Sequence, residues 1–370
     1  MRVFFSTGEL SGEVLAAELL GAMRARTPVD AEAIGNARLE SEGVHIVHRT
    51  IGWARVGIVD AIRIVPQLIG VLMQMVVYLR RSRPDVVVLI DFGAFNLRLA
   101  RALRAWGFKA PIVYYVPPSA WLDNVPKART VAQNCDALTV FRHQAEFYRA
   151  NNLPIGYVGH PLVTTIQPRA PRPAPSPTGG RIALLPGSRQ SEIALHLPLL
   201  LDAFSHLRER RPDLTGVIVA ANDEMRALIQ ATLDFRSPGP IEIAEGTRAV
   251  LAQVDAAAVT SGTAVLEAAL LETPTASFYI LGPTQARIAA RVFDGTFITL
   301  PNLVLRERIV PELLQDAATP VALADELARL LDDPTAQLDG FARMRAALGP
   351  ADSLQRIADW VIAAAASAER

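Results

Sequence analysis

Short runs of Val, Ile and Leu, each ending in Gly, Ser or Asp, alternate along this chain with longer stretches whose apolar positions recur at helical spacing. Val86–Ile90, Ile112–Val116, Ile182–Leu185, Val217–Ala220 and Ala256–Val259 are such runs. A run that is apolar at every position, not at every second one, reads as a strand covered on both faces, and the helical stretches between supply the cover. The pattern predicts an α/β protein built on parallel sheets. The opening residues, Met1 to Phe5, pass directly into Ser6-Thr7-Gly8 and predict a first buried strand. They lack the long apolar core and small-residue cleavage site of a signal peptide.

The rhythm breaks once, at Gln167–Gly180, where QPRAPRPAPSPTGG carries five prolines and ends in Gly-Gly. Proline fixes φ and removes a donor, so the stretch predicts a stiff extended linker. The expected organisation is a first domain over 1–166, a linker over 167–180 and a second domain over 181–349. A helical tail over 350–370 is placed to pack back on the first domain. Two such domains joined by a linker form a cleft at their strand ends, where α/β folds bind ligands.

Ile64 to Leu79 is the most apolar stretch, but it holds Pro66, Gln67 and Gln74 and is too short for the roughly 20 residues that span a bilayer. Arg80-Arg81-Ser82-Arg83 follows at once. Two readings stand: a core helix with a solvated basic end, or an apolar helix that docks on anionic lipid without crossing it.

Composition narrows the classes. The 370 residues are 51% hydrophobic and 20% charged, which suits two ordinary globular cores. Lys plus Arg and Asp plus Glu are 37 each, so the basic excess of a non-specific nucleic-acid binder is missing and no nucleic-acid partner is expected. Cys135 is the single cysteine, so no internal disulfide forms and a reducing compartment fits. The six histidines show no metal-ligand spacing, and no metal or other cofactor is expected.

Three loops can carry chemistry. Leu185-Pro186-Gly187-Ser188-Arg189 follows a strand and precedes a helix beginning near Ser191. A glycine lets the backbone approach a phosphate, the helix start offers N–H groups, and Arg189 adds a guanidinium fork. Ser261-Gly262-Thr263-Ala264-Val265-Leu266-Glu267 has the same setting, with Ser261 or Thr263 as cap and Glu267 one turn on, suited to ribose hydroxyls. Val86–Ile90 ends in Asp91, a place for a general base, although strand-end aspartates also cap helices. Gly8-Glu9-Leu10-Ser11-Gly12-Glu13 turns from the first strand into a helix without dinucleotide or P-loop spacing.

Taken in order, GELSGE (8–13), PDVVVLID (84–91), YYVPPSAW (114–121), GHPL (159–162), LPGSR (185–189), SGTAVLE (261–267), LPNLV (300–304) and PELLQ (311–315) resemble the motif series of lipid-A-disaccharide synthases over almost the whole chain. The resemblance implies the GT-B fold, two Rossmann-like domains with parallel sheets facing across a cleft. It implies an inverting transfer of 2,3-diacylglucosamine from its UDP derivative to 2,3-diacylglucosamine 1-phosphate, peripherally on the cytoplasmic face of the inner membrane. A homodimer is compatible with it. Carried over, Asp91 is the catalytic base. Ser188, Gly187, Arg189, Ser261, Gly262, Thr263, Glu267, Asn302 and Gln315 lie on the UDP side, and Gly8, Glu9, Ser11 and Gly12 on the acceptor side. Val56, Ile58, Val59, Leu68, Leu72, Arg80 and Arg81 form the membrane patch.

Four departures fall in the acceptor-side half. Gly93 and Ala94 stand for a proline and a second aspartate. Ala33-Ile34-Gly35-Asn36-Ala37-Arg38-Leu39 lacks one glycine, the proline and the methionine of the family's turn. Leu122-Asp123-Asn124 replaces the rest of a W-A-W-R motif, and Gln144 replaces a glutamate. A UDP-sugar epimerase or hydrolase on the same architecture, and a non-catalytic paralogue, stay open as alternatives.

Overall fold

The structure is a computed structural model. It describes the chain except Glu9, 51–57, 118–123, 171–172, 237–238, 283–285, 288–296 and 368–370, with backbone alone over 58–67. The chain divides into two compact units, Met1–Thr164 with Leu348–Arg370, and Thr165–Ala347.

The N-terminal unit is built on β1 (Arg2–Ser6), β2 (Asp30–Gly35), β3 (His45–Arg49), β4 (Val86–Ile90), β5 (Ile112–Tyr115), β6 (Asp136–Thr139) and β7 (Gly156–Tyr157), ordered β3-β2-β1-β4-β5-β6-β7. The second unit carries β8 (Arg181–Leu185), β9 (Thr215–Val219), β10 (Ile241–Ala244), β11 (Ala256–Thr260), β12 (Thr275–Tyr279) and β13 (Glu312–Leu314), ordered β10-β9-β8-β11-β12-β13. Every pairing in both sheets is parallel. Central strands are buried at each position, as β4 shows from Val86 to Ile90, because helices cover both sheet faces. Each sheet reverses its strand order once, between β1 and β4 and between β8 and β11. Such reversals open a crevice at the strands' carboxyl ends.

In the tail, helix Ser353–Ser367 packs on helix Leu10–Arg24, with Arg26 Nε 2.6 Å from Asp359 Oδ1. The Pro-rich stretch makes specific hydrogen bonds. Its described part is bound to the second unit. The Thr178 hydroxyl donates to Asp213 at 2.7 Å, and Arg211, 5% exposed, donates to the Ser176 and Gly179 carbonyls at 3.0 Å each. Proline removes donors but leaves carbonyl acceptors, and a buried guanidinium collects them.

Candidate functional site

At the reversal of the N-terminal sheet, the register sets Ser6 opposite Leu89, so the loops leaving β1 and β4 are neighbours. Asp91 leaves β4 with φ of 46° and Phe92 follows at 45°, two successive non-glycine residues in the left-handed region. Each costs on the order of 1 kcal/mol and persists only where the surroundings impose it. Here the imposition is visible. Asn96, fully buried, donates to the carbonyls of Ser6, Ile90 and Asp91 at 3.0–3.2 Å and accepts from the Ser6 hydroxyl at 2.6 Å. The Tyr114 hydroxyl adds a 2.8 Å bond to the Asp91 carbonyl, and burial holds that phenol well above its ordinary range, so it stays a donor. The backbone clamp leaves the Asp91 side chain exposed at the sheet's carboxyl edge. Gly8 lies against Phe92, where a Cβ would come within 2.2 Å of the ring. Ser11 and Gly12 open the following helix beside it, while Glu9 lies outside the described residues.

Two departures acquire a structural reason. Gln144 is buried and donates to the Pro117 carbonyl at 3.0 Å while accepting from the Thr139 hydroxyl, a double role that a carboxylate cannot fill. Asn36 donates to Glu13 Oε1 and to the Thr50 hydroxyl, each at 2.7 Å, and so ties the ends of β2 and β3 to the first helix. Of the Leu122-Asp123-Asn124 departure, Leu122 and Asp123 lie outside the described residues, and Asn124 caps helix Val125–Asn134 by accepting the Lys127 amide at 3.0 Å.

In the second unit, Leu185 pairs with Val259, which sets the 185–189 and 261–263 loops side by side at the reversal. Helix Gln190–Arg210 starts one residue earlier than expected, with Arg189 as its N-cap. Gly187 takes φ of 113°. Ser188 and Arg189 donate their amides to Glu192, and the Arg189 guanidinium is 2.9 Å from the same carboxylate. His196, fully buried, accepts the Ile280 N–H at Nε2, so its proton sits on Nδ1 and is donated to the Pro186 carbonyl at 2.9 Å. That ring braces the loop against the end of β12.

Helix Thr263–Leu270 begins at Gly262 without a side-chain cap, contrary to the cap expected from Ser261 or Thr263. The Ser261 hydroxyl instead reaches the Ile298 carbonyl at 3.4 Å. Gly262 has open space where a Cβ would stand, and Thr263 is exposed. Glu267, 15% exposed, is held by Arg248 Nε at 2.8 Å.

Asn302 lies in the interior of the second unit. Its side chain is fully buried and spent within the fold, accepting from the Ile309 and Val310 amides and donating to Val310 and Glu312. Glu312 also receives the Ile298 and Thr299 amides, so LPNLV and PELLQ form one brace with Asn302 at its centre. Gln315 follows β13 with φ of 50° and is partly exposed.

On helix Ile58–Ser82, Leu68 and Leu72, half-buried, pack against the core. The exposed stripe is Ile69, Met73 and Val77, at helical spacing of four. A shallow groove of about 460 Å³ runs past Met73, Val77, Tyr78 and Arg81, and Arg80 stacks 5.8 Å over Trp106, itself 47% exposed. Val56 and the side chains of Ile58 and Val59 lie outside the described residues. No helix among the described residues is long and apolar enough to cross a membrane.

Glu192, His196, Arg248, Asn96 and Glu312 are absent from the sequence-level site. Glu192 alone left a signal, a glutamate three residues past a helix start. The others act across many residues of sequence.

Comparison with known proteins places these features. A family profile described as "Lipid-A-disaccharide synthetase" matches residues 3–350. The chain is 36% identical over 357 residues to the lipid-A-disaccharide synthase of Pseudomonas aeruginosa (strain LESB58), covering 94% of each chain. It is equally identical over 348 residues to that of Azoarcus sp. (strain BH72), covering 90% of this chain and 88% of the other. Among solved structures, the UDP-GlcNAc 2-epimerase from Neisseria meningitidis bound to UDP-GlcNAc matches with a TM-score of 0.66 at 11% identity, over 98% of this chain and all of that one. The spinosyn rhamnosyltransferase SpnG matches with a TM-score of 0.61 at 14% identity, over 97% of this chain and 100% of that one. These structures share the fold, which is GT-B.

Proposed function

Since the chain belongs to the lipid-A-disaccharide synthase family and is a glycosyltransferase of lipid A synthesis, we propose that it moves 2,3-diacylglucosamine from UDP to 2,3-diacylglucosamine 1-phosphate with inversion. The observation that carries this reading is the pairing of two glycine-turn helix starts, 185–189 and 261–263, at the strand reversal of the second unit. Helix N-termini favour a diphosphate, Arg189 adds positive charge, and Glu267 is placed one turn on for the ribose hydroxyls. The N-terminal unit supplies Asp91. Its carboxylate takes the proton of the acceptor hydroxyl as the oxygen attacks the anomeric carbon. The bond to the UDP oxygen breaks, and the charge on departing UDP meets the 261–263 helix start and Arg189. The reading invokes no metal, because amides and a guanidinium supply the positive field.

The Ile69–Met73–Val77 stripe, ended by Arg80 and Arg81 and flanked by Trp106, supports peripheral attachment to an anionic membrane face from the cytoplasmic side, where both lipid substrates are accessible.

The test is turnover of purified protein with UDP-2,3-diacylglucosamine and 2,3-diacylglucosamine 1-phosphate, following UDP and disaccharide by mass spectrometry. Disaccharide should form, and Asp91→Asn should lower kcat by roughly 10²–10⁴-fold while UDP still binds. UDP binding without disaccharide would refute these acceptor and donor identities. Epimerised UDP-sugar in place of disaccharide would refute the transfer.

A further inference from the structure

The loop 185–189 has the shape of a phosphate loop, yet its anion position is filled from within. Glu192 Oε2 accepts the Ser188 amide at 3.0 Å and the Arg189 amide at 3.3 Å. Its Oε1 accepts Arg189 Nη1 at 2.9 Å and the Tyr279 hydroxyl at 3.2 Å. Burial, then the neighbouring carboxylate, raises the Tyr279 phenol above its ordinary range, so it remains a donor here. A Cβ on Gly187 would lie 2.4 Å from Glu192 Oε2, so the glycine makes room for this carboxylate. Four donors converging on one carboxylate at a helix start reproduce the way backbone nests hold phosphate, with a side chain as the anion. The 261–263 turn differs. Its helix has no side-chain cap, and among the described residues no atom lies within 4 Å of where a Gly262 Cβ would stand.

We propose that Glu192 is a positioning residue, a permanent internal anion that shapes the 185–189 loop and fixes the orientation of Arg189. The donor's diphosphate then binds at the 261–263 turn with Arg189, and the Ser188 and Arg189 amides stay with Glu192. The inference rests on the donor reading above. A phosphate entering the nest would have to displace a carboxylate held by four donors or sit beside a like charge, and both are unfavourable. The competing arrangement, in which Glu192 swings away to admit the diphosphate, predicts the opposite sign. Removing a competing anion strengthens phosphate binding, whereas removing a positioning anion weakens it.

The probe is UDP, titrated calorimetrically into full-length protein and the Glu192→Ala, Glu192→Gln and Tyr279→Phe variants, with thermal unfolding as the folding check. Glu192→Ala should weaken UDP binding about 10–100-fold, or ~1.4–2.8 kcal/mol, raise the donor KM, and lower kcat as well because Arg189 also meets the charge on departing UDP. Added acetate, a carboxylate that fits the emptied nest, should recover part of the affinity. Glu192→Gln and Tyr279→Phe keep the packing and should weaken binding about 2–10-fold, which keeps the test alive if the alanine variant fails to fold. Unchanged UDP affinity in folded variants would reduce Glu192 to a helix cap, and tighter binding would make it a displaced gate; either overturns the proposal. Wild-type protein that binds no UDP would overturn the donor reading itself and this inference with it.

Discussion

His160, in the GHPL motif, is buried, lies tilted with its ring centroid 5.4 Å from that of Phe141 and accepts the Leu162 amide at Nδ1. Burial lowers its pKa from 6.5 to about 3. The neutral ring is therefore the folded form, and the unfolded chain binds the extra proton. Stability from this group is complete above pH 6.5 and is lost as pH falls towards 3, at up to about 1.4 kcal/mol per unit. Urea unfolding of wild type and His160→Gln between pH 4 and 8 should give stabilities that run parallel above pH 6.5, with the wild type losing stability relative to the variant as pH falls below it. A constant offset would contradict the assignment. Asp91 shows how far residue-level reading goes. Its place at the end of an apolar run was legible, because a strand's carboxyl end is a fixed position in this architecture. Its left-handed backbone was not, since that is imposed by Asn96 and Tyr114 from other segments.

Among elements, helix Ile58–Ser82 carries two faces. Val71, Met75, Val76 and Leu79 are buried, while Ile69, Met73 and Val77 stay exposed with arginines at the helix end. Met73→Asp with Val77→Asp should abolish co-sedimentation with vesicles containing anionic lipid and leave thermal stability within about 1 kcal/mol, since exposed positions tolerate charge. Binding of the double variant equal to wild type would remove this face from the membrane reading. The sequence showed an apolar helix ended by a basic cluster. It could not choose between Leu68 and Ile69 as the outward residue, because a helix that is apolar around most of its circumference reveals its exposed stripe only once packed.

For the molecule as a whole, the chain returns from the second unit to the first at Ala347–Leu348 and immediately meets the GHPL turn. Gly349 has φ of 113°, Gly159 has 88°, and a Cβ on Gly349 would sit 2.8 Å from the Gly159 Cα. The His160 amide donates to the Leu348 carbonyl at 2.8 Å beside them. Gly349→Ala should cost on the order of 2–4 kcal/mol and lower the unfolding midpoint of the N-terminal unit by roughly 5–15 °C. Gly43→Ala, also left-handed but with open space, should cost no more than about 1–2 kcal/mol. Equal costs at the two sites would show that conformation alone, and not the crossing of two backbones, governs Gly349.

Sequence alone determined the α/β architecture, the strands that line both strand reversals and the two glycine turns that follow β8 and β11. Those features follow from apolar periodicity and from glycine at helix starts, which are local properties of the chain. Tertiary structure decided which atoms remain available to a ligand. Asn302 and Glu312 satisfy one another, Glu192 fills the loop expected to hold phosphate, and Arg248 holds Glu267. A buried polar group takes whatever partner the fold brings near it, and those partners lie three to nineteen residues away on separate turns or strands. Motif spacing places such residues at a site's edge; only their hydrogen bonds show whether they serve the ligand or the fold.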